Sequence, residues 1–232
     1  MAATVLIPAL NEEHRIAATV TAAQAVAGVG RVLVIDDGST DETGARARDA
    51  GAEVLSLARN VGKGGALQAG LEHVGASADI IVLLDADLGE TAREAAALLA
   101  PLAEGTTDMA IATFPPPVRR GGLGLVKRLA RWGIERLTGI RVSAPLSGQR
   151  ALNRDAIAAG TPFAHGFGVE VALTVRVARA GLRIREVPTS MQHAETGRDL
   201  PGFVHRGRQF LAVARTLARL SFERQSADTS AG

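Results

Sequence analysis

The sequence predicts an α/β fold, with a mostly parallel sheet flanked by helices. Three observations predict it. Over the first 114 residues, short apolar runs alternate with helix-like segments, the pattern of strand–helix–strand crossovers. The run Ile80-Ile81-Val82-Leu83-Leu84 is apolar at every position, as expected of a strand buried on both faces of a parallel sheet. Finally, a polar, acid- or glycine-rich segment follows each of the first four runs, where open α/β sheets bind ligands.

The elements follow in order. Thr4–Ile7 is the first strand, and Asn11 is placed to cap a helix carrying Ile16, Val20, Ala23 and Ala27 at helical spacing. Arg31–Ile35 is the second strand, and Ser39-Thr40-Asp41-Glu42 has the form of a capping box opening a helix to Ala50. Glu53–Leu57 is the third strand, followed by a glycine-rich loop and a helix over 65–74. The fourth strand ends at Asp85, and Met109–Phe114 is the fifth. Pro115-Pro116-Pro117 and Gly121-Gly122 then break regular structure and predict a mobile loop. Gly124–Thr138 is a basic amphipathic helix, Val169–Ala180 a further helix, Arg183–Val187 a strand and Phe203–Phe222 a third basic helix. With no repeat and no linker, residues 1–222 read as one domain and 223–232 as a disordered tail.

Composition narrows the function classes. A chain of 232 residues with 47% hydrophobic and 22% charged residues is long and apolar enough for a sizeable core. It has no cysteine, which excludes disulfides and thiolate metal sites and fits a reducing cytoplasm. The N-terminus passes directly into a strand, leaving no signal peptide. No apolar stretch approaches the ~18 residues of a membrane span. The pI of 9.9 accompanies a net charge of only +2. It reflects an arginine-rich chain without Tyr or Cys, in which Lys occurs only at Lys63 and Lys127. Aromatics at 3% speak against base stacking, so nucleic acid is not an expected partner.

The chemistry-bearing segments lie at the strand ends: Pro8-Ala9-Leu10-Asn11-Glu12-Glu13, Asp36-Asp37-Gly38-Ser39-Thr40-Asp41, Asn60-Val61-Gly62-Lys63-Gly64-Gly65-Ala66 and Asp85-Ala86-Asp87. Asp85 and Asp87, two residues apart at the carboxyl end of the fourth strand, point to one side. Paired carboxylates repel unless a cation joins them, so the pattern suits a divalent metal; the alternative is a polar loop after a core strand. Two adjacent acids at Asp36-Asp37 exceed what a turn and cap require. The glycine loop lets a backbone approach a ligand closely, and Lys63 supplies charge for a phosphate. There is no Gly-x-x-x-x-Gly-Lys-Ser/Thr in that loop and no Gly-x-Gly-x-x-Gly after the first strand, which disfavours P-loop and dinucleotide-dependent oxidoreductase classes.

The ordered set Pro-Ala-Leu-Asn-Glu-Glu, Asp-Asp-Gly-Ser-Thr-Asp, Gly-Lys-Gly and Asp-x-Asp resembles the family-2-like glycosyltransferases of the GT-A (Rossmann-like) fold, over roughly the first half of the chain. The resemblance implies a nucleotide-diphospho-sugar donor site within a nucleotide-binding half, 1–114, joined to an acceptor half, 115–222. Pro8, Ala9, Asn11 and Glu12 would line the nucleoside, with Glu12 near the ribose. Asp37 would face the base, Lys63 the base or pyrophosphate, Asp85 with Ala86 the ribose side, and Asp87 the metal, Mg2+ or Mn2+. In the second half, Pro145-Leu146-Ser147-Gly148-Gln149-Arg150, Gly166-Phe167-Gly168-Val169-Glu170 and His193 are similar to stretches of glucosyl-3-phosphoglycerate synthases. That resemblance implies His193 as a second metal ligand with Asp87. It also implies Ser147, Gly148, Gln149 and Glu170 as acceptor- or sugar-facing groups, Glu170 being the candidate base; Glu170 equally suits the first turn of its helix through the dipole. The Arg-Val-Thr run that binds phosphoglycerate in that group is not evident, since Gly122-Leu123-Gly124-Leu125-Val126-Lys127 stands in its region. The acceptor therefore does not carry over, although Arg119, Arg120 and Lys127 are candidates for an anionic one.

The expected activity is metal-dependent transfer of a hexose from a nucleotide-diphospho-sugar, with a UDP-sugar such as UDP-glucose favoured, to a small anionic or hydroxylated acceptor. Two alternatives stand beside it. One is a polyprenyl-phosphate glycosyltransferase whose basic helices rest on a membrane surface; packing on the domain or across a homodimer explains the same helices. The other is a non-catalytic nucleotide-sugar-binding protein.

Overall fold

A computed structural model describes residues 2–75, 78–114, 124–164, 166–192 and 200–229. In chain order the elements are β1 (Ala3–Ala9), α1 (Ile16–Gln24), β2 (Val29–Asp36), α2 (Thr43–Asp49), β3 (Glu53–Ser56), α3 (Lys63–Val74), β4 (Ile80–Leu83), α4 (Ala95–Ala103), β5 (Met109–Thr113), α5 (Leu125–Thr138), β6 (Arg150–Asn153), α6 (Arg154–Gly160), α7 (Val169–Arg179), β7 (Ile184–Pro188) and α8 (Leu200–Thr229). The strands form a seven-stranded sheet in the order β3-β2-β1-β4-β6-β5-β7. All pairings are parallel except those of β6, which runs antiparallel to β4 and to β5. The mostly parallel α/β sheet predicted from the sequence is therefore present.

Alternation along the central strands sorts the core onto two faces. Val5, Ile7, Val34, Val82 and Leu84 face one way, with Ile16 and Val20 of α1 and Leu98 of α4. Leu6, Leu33, Ile35, Ile81 and Leu83 face the other, with Leu67 of α3 and Val169, Leu173 and Val177 of α7. Each fully buried aliphatic side chain contributes roughly 1.5–3 kcal/mol, so the two faces fix the sheet's position firmly. A third cluster joins Ala130 and Ile134 of α5 to Val171 and Val175 of α7 and to Val213, Leu217 and Leu220 of α8. The α7 helix is thus buried on two sides, and the inner faces of the basic helices are explained by packing. None of the described helices is long and apolar enough to cross a membrane.

Several boundaries differ from the sequence prediction, and the reasons are local. The first helix starts at Ile16 with no side-chain cap, because Asn11 is spent elsewhere: it sits at φ 56° and accepts the Thr40 amide at 2.9 Å. The capping box at Ser39 does not form. Its hydroxyl accepts the Asn11 amide at 3.0 Å, and α2 begins only at Thr43, whose amide bonds Asp41 at 3.0 Å. The third helix starts at Lys63, two residues early, after Gly62 turns the chain at φ 80°. The fourth strand stops at Leu83 rather than Asp85, so Asp85-Ala86-Asp87 lies in the following turn and not along a strand. At the other end, α8 continues past Glu223 to Thr229, where the sequence predicts a disordered tail. Pro115–Pro117, Arg119, Arg120, Gly121, Gly122 and His193 lie outside the described residues.

Candidate active site

Strand order places the site. From β1 the chain adds β2 and then β3 on one side, and β4 takes the other side of β1. The order reverses between β1 and β4, which opens a crevice at their carboxyl ends. Parallel register brings Ala9 beside Asp36 and Leu6 beside Leu83, so the segments that follow these strands meet at one edge.

The loops after β1 and β2 are knitted together. Besides the Asn11 bonds to Ser39 and Thr40, the Glu12 amide donates to Thr43 Oγ1 at 2.8 Å, and the Glu42 amide donates to Glu13 at 3.1 Å. Polar residues that read as helix caps in the sequence therefore cross-link two loops. Asp37, buried at 4% exposure, extends the knitting to the glycine loop. Its Oδ1 accepts the Val61 amide at 2.7 Å and its Oδ2 the Gly62 amide at 2.9 Å. Behind that loop, a Cβ on Gly64 would overlap the carbonyl oxygen of Ala164. Only glycine lets α3 begin so close to the segment that leads into α7.

The centre of the site is a charged network drawn from four segments. Lys63 Nζ lies 2.6 Å from Asp85 Oδ1 and 2.9 Å from Glu170 Oε1. Gln149 Nε2 donates to the other Asp85 oxygen at 2.6 Å. The antiparallel pairing of Leu83 with Arg150 brings Gln149 alongside the residues that follow β4. Burial disfavours the Lys63 ammonium, but the adjacent Asp85 and Glu170 carboxylates outweigh it and hold its pKa above the ordinary lysine range. Gly148 lies against the network: a Cβ there would overlap Lys63 Nζ and stand 3.0 Å from both Asp85 oxygens. Ser147 is buried, and its hydroxyl donates to Gln149 Oε1 at 3.4 Å.

The sequence reading missed two residues beneath this network. Arg150 is fully buried. Its guanidinium donates to the Ser147 carbonyl at 2.8 Å, the Pro145 carbonyl at 3.4 Å and Thr174 Oγ1 at 2.8 Å, which fixes the loop carrying Ser147–Gln149. Burial lowers its pKa to about 10, against the favourable charges of Glu170 and Glu186. The other is Thr19, also fully buried. It donates to the Ala86 carbonyl at 2.8 Å and accepts the Gly89 amide at 2.8 Å, clamping the Asp85–Asp87 turn onto α1. The available signal was a polar residue on an apolar face: Thr19 shares the stripe of Ile16 and Val20, and Arg150 precedes the apolar pair Ala151-Leu152.

Negative charge collects at the mouth. The pKa of Glu12 is raised first by burial, then by the nearby charge of Asp87, with further contributions from Asp41 and Asp85 and an opposing one from Arg15. Arg15 also reaches the Asp87 carbonyl at 3.3 Å. Among the described residues no three metal-ligating side chains stand preassembled; His193 is not among those residues. Pro8 and Ala9 close β1 at the rim, and Ala86 is buried within the turn.

Comparison with known proteins gives a consistent result. The model of the family described as glycosyl transferase family 2 matches residues 4–145. Glycosyltransferase AglJ of Haloferax volcanii is 34% identical over 203 residues, covering 85% of this chain and 65% of that protein. Glucosyl-3-phosphoglycerate synthase of Mycobacterium tuberculosis is 32% identical over 198 residues, covering 74% of this chain and 59% of that one. The chain thus spans about three-fifths of the length of these curated relatives. A crystal structure of the Mycobacterium tuberculosis synthase in complex with Mn2+, uridine-diphosphate-glucose and phosphoglyceric acid superposes with a TM-score of 0.78 at 31% identity, covering 94% of this chain and 79% of that one. A second, with Mg2+ and uridine-diphosphate, gives 0.77 at 30% identity.

Proposed function

Because the chain belongs to glycosyl transferase family 2, we propose that it transfers a sugar from a nucleotide-diphospho-sugar, in a metal-dependent reaction, to a small anionic or hydroxylated acceptor. A UDP-sugar is the favoured donor, since the similar synthase is crystallised with uridine-diphosphate-glucose. The observation that carries this reading is the Lys63–Asp85–Glu170–Gln149 network at the reversal of strand order. It gathers a cation, two carboxylates and an amide where nucleotide ligands bind α/β sheets.

The residues divide by place. Pro8, Ala9, Asn11 and Glu12 line the nucleoside side, and Asp37 shapes the glycine loop through the Val61 and Gly62 amides while facing the base. Asp85 and Ala86 lie on the ribose side. Lys63 exchanges part of its pairing with Asp85 for the donor phosphates. The carboxylates at the mouth fit a divalent cation: burial first, and then the charges of Asp87, Asp41 and Asp85, raise the pKa of Glu12, and carboxylate oxygens suit Mg2+ or Mn2+. Asp87 and His193 would hold that ion, which when bound neutralises the charge of the departing diphosphate. Ser147, Gly148, Gln149 and Glu170 face the sugar or acceptor. Glu170, 8% exposed and paired with Lys63, is the base candidate for a hydroxyl acceptor. The absence of cysteine supports a reducing, cytoplasmic setting.

Thermal unfolding with UDP tests the reading. At about 100 times its Kd a ligand adds about 2.7 kcal/mol, which for a chain of this size raises Tm by roughly 5–10 °C. This shift should require Mn2+ or Mg2+ and vanish in chelator. In Asp87→Ala the metal-dependent part should be lost at unchanged Tm without ligand. Equal stabilisation by UDP in excess chelator would remove the metal from the site.

A further inference from the structure

The outer faces of α5 and α8 remain unexplained by packing or by the site. The two helices lie side by side on α7 and share one core cluster with it; a Cβ on Gly133 of α5 would overlap Leu217 of α8. Helical spacing then sets which side chains point away from α7. On α5, Ala130 and Ile134 face inward, and Leu125 and Trp132, seven residues apart, lie on the opposite side. On α8, Val213, Leu217 and Leu220 face inward, and Leu211 and Arg215 lie opposite. Trp132 is 63% exposed, Leu211 53%, Leu125 51% and Phe210 39%. These apolar groups stand among exposed Lys127, Arg128, Arg136, Arg215 and Arg219. The described acids nearby are already paired, Glu135 with Arg141 and Glu223 with Arg176 and Arg219.

We propose that the outward faces of α5 and α8 form a docking surface for an anionic lipid bilayer. Charge decides between occupants. A second copy of the chain related by a twofold axis would set these cations against their own kind, whereas acidic headgroups complement them. An indole flanked by arginines and leucines matches the interfacial zone of a bilayer, where the ring sits at headgroup depth and the cations remain in water. The helices lie on the surface, and α8 carries the contact inward: its Thr216 packs against Gly168, two residues before Glu170.

Trp132 makes the test direct, because the chain has one Trp and no Tyr. The full chain is titrated with phosphatidylglycerol and with phosphatidylcholine vesicles, and its tryptophan emission and co-sedimentation are followed. The expected result is a blue shift, quenching by bromine-labelled lipid, and sedimentation with phosphatidylglycerol only, each weakening as salt shortens the Debye length. The double variant Arg128→Ala/Arg136→Ala should bind roughly 30-fold more weakly. Its metal-dependent thermal shift with UDP should be unchanged, which separates failure of this surface from failure of the donor site. Unshifted emission on phosphatidylglycerol overturns the proposal, as do equal shifts on both lipids. A blue shift that grows with protein concentration in the absence of lipid assigns the face to a second copy and also overturns it.

Discussion

Gly148→Ala isolates the network at the centre of the site. The backbone at Gly148 is not in the left-handed region, so alanine brings no conformational strain of its own. Its Cβ instead overlaps Lys63 Nζ and stands 3.0 Å from both Asp85 oxygens. Lys63 is the far end of a flexible chain and yields by about 1 Å. At an effective dielectric constant of ~20, lengthening the 2.6 Å contact with Asp85 by that amount weakens the attraction by roughly 2 kcal/mol. The two side chains are 23% and 25% exposed, and solvent screening reduces the net loss to about 1 kcal/mol. The expected fall in Tm is therefore only about 2–4 °C. Function suffers more, because a displacement of about 1 Å in a positioning group costs on the order of 100-fold in rate. Gly64→Ala is the contrasting case. Its Cβ meets the Ala164 carbonyl, which cannot swing away, so stability drops first. The assays are urea unfolding and donor turnover, measured on both variants. Gly148→Ala with wild-type turnover would falsify the role given to the Lys63–Asp85 contact; loss of turnover only in proportion to loss of fold would make the glycine purely structural.

Two carboxylates give pH-dependent predictions of opposite sign. Glu12 has its pKa raised above 4.5, so the folded chain binds its proton more readily than the unfolded one, and ionising Glu12 at higher pH costs stability. Glu12→Gln should therefore be more stable than wild type at neutral pH, by on the order of 0.5 kcal/mol. The gain should vanish below pH 4.5, as read from urea midpoints across the range. Asp108 behaves in the other sense: the Arg183 guanidinium and amide, with Asn153, hold its pKa at about 2, below the ordinary 3.8. Its contribution is present above pH 3.8 and is lost as pH falls through about 2. Asp108→Asn should lower stability at pH 7 by about 1–2 kcal/mol and flatten the acid limb monitored by circular dichroism. An unchanged acid limb would show that the Asp108–Arg183 pairing contributes nothing.

The sequence by itself determined the class of the fold and the membership of the polar edge. Apolar runs of four to eight residues bury on both faces only in a covered, mainly parallel sheet, and parallel strands deliver the segments after them to a common edge. Pro8, Asn11, Glu12, Asp37, Lys63 and Asp85 could therefore be grouped before any contact was known. The tertiary structure decided what each polar residue does there. Ser39 and Asn11 carry the local signature of helix caps, but a cap and a loop-to-loop bond use the same oxygen, and only the approach of β1 to β2 selects the second. The Asp-x-Asp pair sits in a turn because Thr19, on a different element, holds the Ala86 carbonyl. Arg150 and the short strand β6 were illegible for a related reason. Four residues opening with an arginine carry too little periodicity to mark a buried strand, and the carbonyls that make burial of that charge tolerable come from a loop that folds back on it. Spacing along the chain encodes which residues share an edge. Which of several hydrogen-bond partners a side chain takes depends on distances between segments that are remote in sequence.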